Sequence, residues 1–343
     1  LMAAVPFASW PAMWVRPLSV LSGMFAGVHE HVEDPHLLPV FFAGEIYRHT
    51  RPSVFFYPVT LAFDSSFVTL TLALLAVGHY TLWRRRMRLR LEPLGFWLLT
   101  AYAFFFTVQM ALGAKQWGRY LLPVHLVLEL LAAVGLVGLI SLMAEATGAR
   151  GARGAQATVL AGLAVGLQAL VAATHLPNYG AHHNYLLGGN LAAAHVVSVA
   201  GEDEGVTDVA DYLNRQPRAR PLRIATDQRT GPHLRQYFSG RCVYGSRMRA
   251  DYHLFELPLI QRGLYAHQWR SAWRMYRNRT PRLVVTFDGV EVLWLYATSP
   301  SESTRRTVVS YGWNGWIGIA WLWTAVLTLT TVWALRRHCR KPE

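Results

Sequence analysis

Five stretches of this chain are apolar over the length of a membrane-crossing helix: 66–83, 94–112, 120–143, 157–174 and 313–335. A bilayer core takes about 20 helical residues, within a range of about 17–25. Only 15% of the 343 residues are charged, and 52% are hydrophobic. A soluble chain usually carries about a quarter charged residues. The length alone allows roughly two soluble domains, but the apolar runs predict spans with one soluble insertion. The run 157–174 is rich in Ala and Gly, which predicts close packing through small-residue faces.

The stretch Leu1–Val15 is too short for a full span and has no basic leader, so it does not read as a signal peptide. It reads as the end of a helix that begins upstream, and the chain as the C-terminal portion of a longer protein.

Orientation follows from the short loops. Arg84, Arg85, Arg86, Arg88 and Arg90 follow the first run. Arg150 and Arg153 follow the third, and Arg336, Arg337, Arg340 and Lys341 follow the last. Alternating passes put all three clusters on one face, which the positive-inside rule makes cytoplasmic. Residues 16–65, 113–119 and 175–312 are then expected outside, in a multi-pass protein of the inner (plasma) membrane.

The net charge of +13 comes from 31 Arg and two Lys, and part of it is this orientation signal. Nucleic-acid binding calls for a basic, aromatic-studded face on a soluble domain, and no such partner is expected. Cys242 and Cys339 fall on opposite sides of the membrane, which leaves no disulfide framework.

The first outer segment holds HEHVEDPHLLPVFFAGEIY and then SVFFYPVTLAF, which breaks at Pro58 and suits the membrane interface. His29, His31 and His36 lack a zinc-ligand spacing and a cysteine, so no metal site is expected there. In the second outer segment, Gly188-Gly189 marks a turn. Val206, Val209, Ala210 and Leu213 recur at helical spacing, closed by Pro217. PLRIAT, DYHLFEL, RLVVTF and VEVLWLYA read as strands, with Asp288-Gly289 as the hairpin turn between the last two. GPHLRQYF and 262–279 read as helices. The predicted fold is a polytopic α-helical membrane protein carrying a small extracytoplasmic α/β domain over 175–312. It contains no Gly-rich phosphate loop, nucleophile elbow or Cys/His cluster. Asp227 and Asp251 read as solvated or capping residues, and no cofactor is called for.

The densest chemistry sits in KQWGRYLLP, residues 115–123. On a helix, Lys115 and Arg119 share a face. A helix start adds partial positive charge and free N–H groups. With Tyr120 they make a site for a lipid phosphate; the other reading is two cations snorkelling to the interface. Cations in a short outer loop go against the usual loop bias. Glu129, about two and a half turns deeper, is an intramembrane acid and so a candidate site by default. With no basic residue at its depth, it reads as hydrogen-bonded between helices.

FASWPAMWVRPL, PVFFAGEIYRHTRPSVFFYPVTLAF, KQWGRYLLPVH, and NYLLGG followed by GVTDVADYLN occur here in order along most of the chain. Together they resemble the membrane glycosyltransferases that use polyprenyl-phosphate sugars, related to protein mannosyltransferases and lipid A aminoarabinose transferases. The resemblance implies a GT-C-like fold and transfer of a sugar from a polyprenyl-phosphate donor to a hydroxyl-bearing protein, lipid or glycan on the outer face. It implies that Lys115, Arg119 and Tyr120 bind the donor phosphate, and that Tyr57, His36, Asn184 and Tyr185 line the cavity. It also implies a carboxylate base in an outer loop upstream of Leu1, so no catalytic residue is expected in this chain. A non-enzymatic membrane sensor or assembly protein with an outer α/β domain accounts for the spans equally well. A transporter would call for repeated halves, which are absent.

Overall fold

A computed structural model describes residues 12–16, 18–20, 22–23, 38–48, 50–83, 93–113, 116–147, 153–199, 204–217, 219–245, 249–265, 267–299 and 306–339. Lys115 and His36 lie outside the described residues, as do the basic cluster 84–90 and the acids Glu30, Glu33 and Asp34.

The long helices are α1 (Phe56–Asp64), α2 (Phe67–Trp83), α3 (Pro93–Leu112), α4 (Leu122–Thr147) and α5 (Arg153–Thr174). A last helix, Gly315–Cys339, closes the described chain. Among the described residues, four segments are long and apolar enough to cross a membrane: Leu94–Leu112, Gly118–Thr147, Ala157–Thr174 and Gly315–Arg337. The expected span 66–83 forms α2, about 25 Å long. At 17 residues it is at the short end of the span range, and it follows α1 across a bend of 116°. Pro58 does not break the aromatic stretch; it sits in the first turn of α1, where its missing N–H would have had no helical partner.

The outward faces of these helices are apolar: Leu98, Phe104 and Phe105 on α3, Leu126 on α4, Leu163 on α5 and Leu322 on the last helix are all exposed. Their inward faces form one cluster around Phe67, Leu72, Leu131, Leu139 and Ala320. The backbones of α2 and α4 approach closely, so that a Cβ on Gly135 would overlap the Leu72 carbonyl oxygen. Gly162 and Gly166 of α5 instead have open space before them. The small-residue contact therefore lies on α4, because a glycine admits a second backbone only where a neighbouring helix is aimed at it.

The soluble insertion contains a six-stranded mixed sheet of order β4-β3-β5-β7-β6-β8. The strands are β3 (Arg223–Thr226), β4 (Arg241–Tyr244), β5 (Tyr252–Glu256), β6 (Leu283–Phe287), β7 (Val290–Ala297) and β8 (Thr307–Tyr311). A separate short hairpin joins β1 (Val40–Phe42) to β2 (Glu45–Tyr47). The helices here are α6 (Gly189–Val196), α7 (Val206–Asn214), α8 (Thr230–Tyr237), α9 (Leu257–Gln261) and α10 (His267–Tyr276), so the last helix is α11.

The Asp288-Gly289 turn joins antiparallel β6 and β7, with both residues at positive φ. α10 starts at His267, five residues later than expected, because Leu257–Gln261 forms its own turn behind Pro258. β8 pairs parallel to β6 ahead of α11. One face of the sheet buries an aromatic cluster around Phe255, with Trp269, Tyr276 and Tyr296.

The other face shares a single core with the long helices. Phe56, Tyr57, Phe63 and Leu121 cluster with Val206, Leu213, Leu254 and Leu293. The span ends meet at this seam. The Arg51 guanidinium donates to Leu112 O at 2.9 Å, and Gly312 N donates to Thr174 O at 2.8 Å. Tyr185 lies against Trp316 of α11, with ring centroids 6.4 Å apart.

Candidate functional site

A cavity of about 550 Å³ opens at the seam. α1 contributes Thr60 and Asp64; the segment entering α4 contributes Gln116, Trp117, Gly118 and Arg119. The loop after α5 supplies His182 and His183, and the sheet unit supplies Glu204 and Arg262.

Arg119 sits in a single 3-10 turn, Gly118–Leu121, that runs into α4. Trp117 before it is extended, with φ −152° and ψ 135°. The premise that residues 115 and 119 share a helix face is therefore overturned: an extended residue between them breaks the helical register. Tyr57, fully buried, holds this kink by accepting from Trp117 N at 3.1 Å.

The second cation comes from a distant part of the chain. Arg262, at the end of α9, places its guanidinium 4.2 Å from the centre of the Trp117 ring, and its Nε donates to Pro39 O at 3.1 Å. The Arg119 guanidinium lies 5.2 Å from the same ring and 5.7 Å from that of Tyr120. Two guanidiniums thus converge on one indole inside one cavity. Cation–π contact offsets part of the cost of holding each charge, and together the two charges attract an anion to the cavity.

Other lining atoms have unmet hydrogen-bonding capacity. Thr60 Oγ1, Gln116 Oε1 and both ring nitrogens of His182 are buried without a partner. Such groups cost about 1–3 kcal/mol each when left unsatisfied. Burial, with the neighbouring His175 and His183, pushes His182 down to about 3, so its imidazole is neutral at neutral pH.

Tyr57, Tyr120, Asn184 and Tyr185 are not among the residues lining the cavity; they brace its wall. Asn184 Nδ2 donates to Ala62 O at 2.9 Å, and its backbone N donates to Phe63 O at 2.7 Å, capping the end of α1. The Tyr185 hydroxyl donates to Asp288 Oδ1 at 2.8 Å. Asp288, read from sequence only as a turn residue, is 2% exposed at the seam. Asn190 Nδ2 donates to Asp288 Oδ2 at 2.8 Å, and His175 Nε2 lies 3.5 Å from the same oxygen. Asp227 and Asp251 accept from the backbone N–H of Arg229 and Arg223 respectively; Asp227 is buried rather than solvated, and Asp251 meets the first residue of β3 rather than a helix end. Glu129 accepts from Thr69 of α2 at 2.9 Å, an interhelical hydrogen bond.

Among the described residues no cluster of His, Cys, Asp and Glu has the geometry to hold a metal ion. No protein-family model, curated protein or solved structure matches the chain.

Proposed function

We propose that this protein is an integral-membrane glycosyltransferase that takes a sugar from a polyprenyl-phosphate donor and delivers it to a hydroxyl on the outer face of the membrane. The observation that carries the reading is the pair of guanidiniums, Arg119 and Arg262, against the Trp117 ring in a cavity at the membrane-facing seam. An apolar lipid tail would lie along the exposed apolar helix faces, and its phosphate would meet the two cations. Planar forks suit phosphate oxygens, and preplaced cations stabilise the charge that develops on a departing phosphate. The sheet unit then takes part in the donor site through Arg262. A sensor or assembly protein would account for the spans and the sheet but gives no reason for converging cations beside unpaired polar atoms.

The test is binding of undecaprenyl phosphate to the full-length protein in nanodiscs. A charge-assisted hydrogen bond is worth about 1.5–3 kcal/mol, so Arg119→Ala and Arg262→Ala should each weaken binding roughly ten- to a hundredfold. Arg119→Lys should weaken it too, since a point charge cannot replace the fork. If both alanine variants insert normally and bind like the parent, the phosphate reading is wrong.

A further inference from the structure

The cavity that the two arginines line also holds a histidine whose protonation is fixed from behind. His183 is 3% exposed and lines the cavity. Its Nδ1 lies 2.6 Å from Asn190 Oδ1. The amide of Asn190 is oriented by its own donors: Nδ2 gives to Ala181 O at 2.7 Å and to Asp288 Oδ2 at 2.8 Å. The oxygen therefore faces His183, and an oxygen only accepts, so Nδ1 carries the proton. In the neutral ring Nε2 then holds the lone pair. That nitrogen points toward Asp64, whose Oδ1 is 3.7 Å away, too far for a direct hydrogen bond. Asp64 in turn abuts Gly118, the residue before Arg119: a Cβ on Gly118 would stand 3.1 Å from Asp64 Oδ2.

We infer that His183 is a catalytic base of this protein, with Nε2 receiving the proton of the incoming hydroxyl. This rests on the glycosyl-transfer reading, and it places a base within the chain where the family resemblance looks for a carboxylate upstream of Leu1. The step balances as follows. The acceptor O–H, or water in its absence, gives its proton to Nε2. The oxygen's electron pair forms the bond to the anomeric carbon. The bond from that carbon to the phosphate oxygen breaks, and its electron pair departs on polyprenyl phosphate at Arg119 and Arg262. The imidazolium so formed keeps its Nδ1–H bond to Asn190 and lies beside Asp64. Asn190 and Asp288 are positioning residues.

The titratable groups around the ring are Asp64 on α1, Asp288 at the β6–β7 turn, and His175 and His182 on its own segment. Burial pushes His183 below the ordinary imidazole range, and the hydrogen bond to Asn190 and the Asp288 charge only partly offset that. The resting base is thus unprotonated at neutral pH.

The experiment uses the full-length protein in nanodiscs and a panel of undecaprenyl-phosphate-linked hexoses, hexosamines and pentoses. Turnover is read as release of undecaprenyl phosphate, and binding of undecaprenyl phosphate is measured separately. General-base catalysis contributes about 10²–10⁴-fold. His183→Gln should lose that much turnover, bind undecaprenyl phosphate within twofold of the parent, and lose the acid limb of the pH–rate profile. Asn190→Ala should lose roughly tenfold and displace that limb, which a purely structural role would not do. If His183→Gln turns over like the parent or keeps the limb, this inference falls and the phosphate site stands. If the parent binds no undecaprenyl phosphate, the functional reading falls and the inference with it. A second measurement needs no turnover: in ¹⁵N-histidine-labelled protein, His183 should show the Nδ1–H tautomer, and an Nε2–H tautomer overturns the proposal.

Discussion

Asp288→Asn tests whether the seam between the helices and the sheet depends on one buried carboxylate. Asparagine has nearly the same volume as aspartate and is among the residues most tolerant of positive φ. Residue 288 has φ 48°, so the backbone should be undisturbed. What changes is hydrogen bonding. The carboxylate accepts from the Tyr185 hydroxyl on Oδ1 and from Asn190 Nδ2 on Oδ2, both at 2.8 Å. An amide retains one acceptor and turns an NH₂ group toward the other donor. Keeping the Tyr185 bond sets that NH₂ against Asn190 Nδ2, whereas the flipped amide keeps the Asn190 bond and donates to the Tyr185 hydroxyl oxygen, whose own proton can turn to His175 Nε2, 3.3 Å away. Either way the charged acceptor is lost, and the difference between charged and neutral hydrogen bonds comes to about 2–3 kcal/mol for the two.

For a soluble unit of the length of residues 175–312, that corresponds to a fall in melting temperature of about 5–10 °C. The loss is local, so it also predicts where the structure opens. Amide exchange should rise across 175–190 and 311–316, the segments that meet Asp288, and stay unchanged on the far sheet face around Phe255. Thermal melting and hydrogen–deuterium exchange in nanodiscs check both statements. A variant that melts within 1 °C of the parent, with unaltered exchange in those segments, would show that the carboxylate does not hold the seam.

Gly135→Ala should impair folding, because its Cβ overlaps the Leu72 carbonyl oxygen and stands 2.9 Å from the carbonyl carbon. The expected cost is about 1–3 kcal/mol, read as a lower melting point in detergent, whereas Gly162→Ala, with open space before it, should not destabilise; equal melting of the two variants would refute the helix contact. His182, held down to about 3 chiefly by burial, is neutral when folded but ionises near 6.5 when unfolded. The unfolded state therefore binds more protons between those values, and stability should fall with pH below about 6.5 by up to about 1.4 kcal/mol per unit from this group. His182→Gln should flatten that slope in melting experiments from pH 7 to 4, and parallel curves for parent and variant would contradict the assignment.

The spans and strands β3, β5, β6 and β7 were legible because their signals are local, whereas β1, β2 and β4, of three or four residues each, were not read from sequence. Twenty apolar residues in a row have few folded alternatives, and the Asp-Gly turn between two β-branched runs specifies a hairpin from ten residues of context. β8 was missed because TVVSY is short and its pairing with β6 is parallel, so nothing adjacent in sequence announces it. The site divides along the same line. Arg119 stood out as a cation among apolar neighbours. Arg262 lies in LPLIQRG, an unremarkable helix end, and acquires its place only when the sheet unit settles on the long helices. Asp288 carried a strong local signal, the turn, which hid its second role.

The polar stretch 182–190 shows why the site lies at this seam. A helix ending between membrane spans and a sheet leaves its last carbonyls without helical partners. At the end of α1 the carbonyls of Ala62 and Phe63 are met by Asn184, from its side chain and its backbone. Satisfying those carbonyls fixes the position of residue 184 against α1. The residue before it, His183, is thereby set beside Asp64, the last residue of the same helix. Seven residues on, the first turn of α6 brings Asn190 back to the other side of the imidazole. The capping bonds that close the fold therefore also set His183 on the cavity wall.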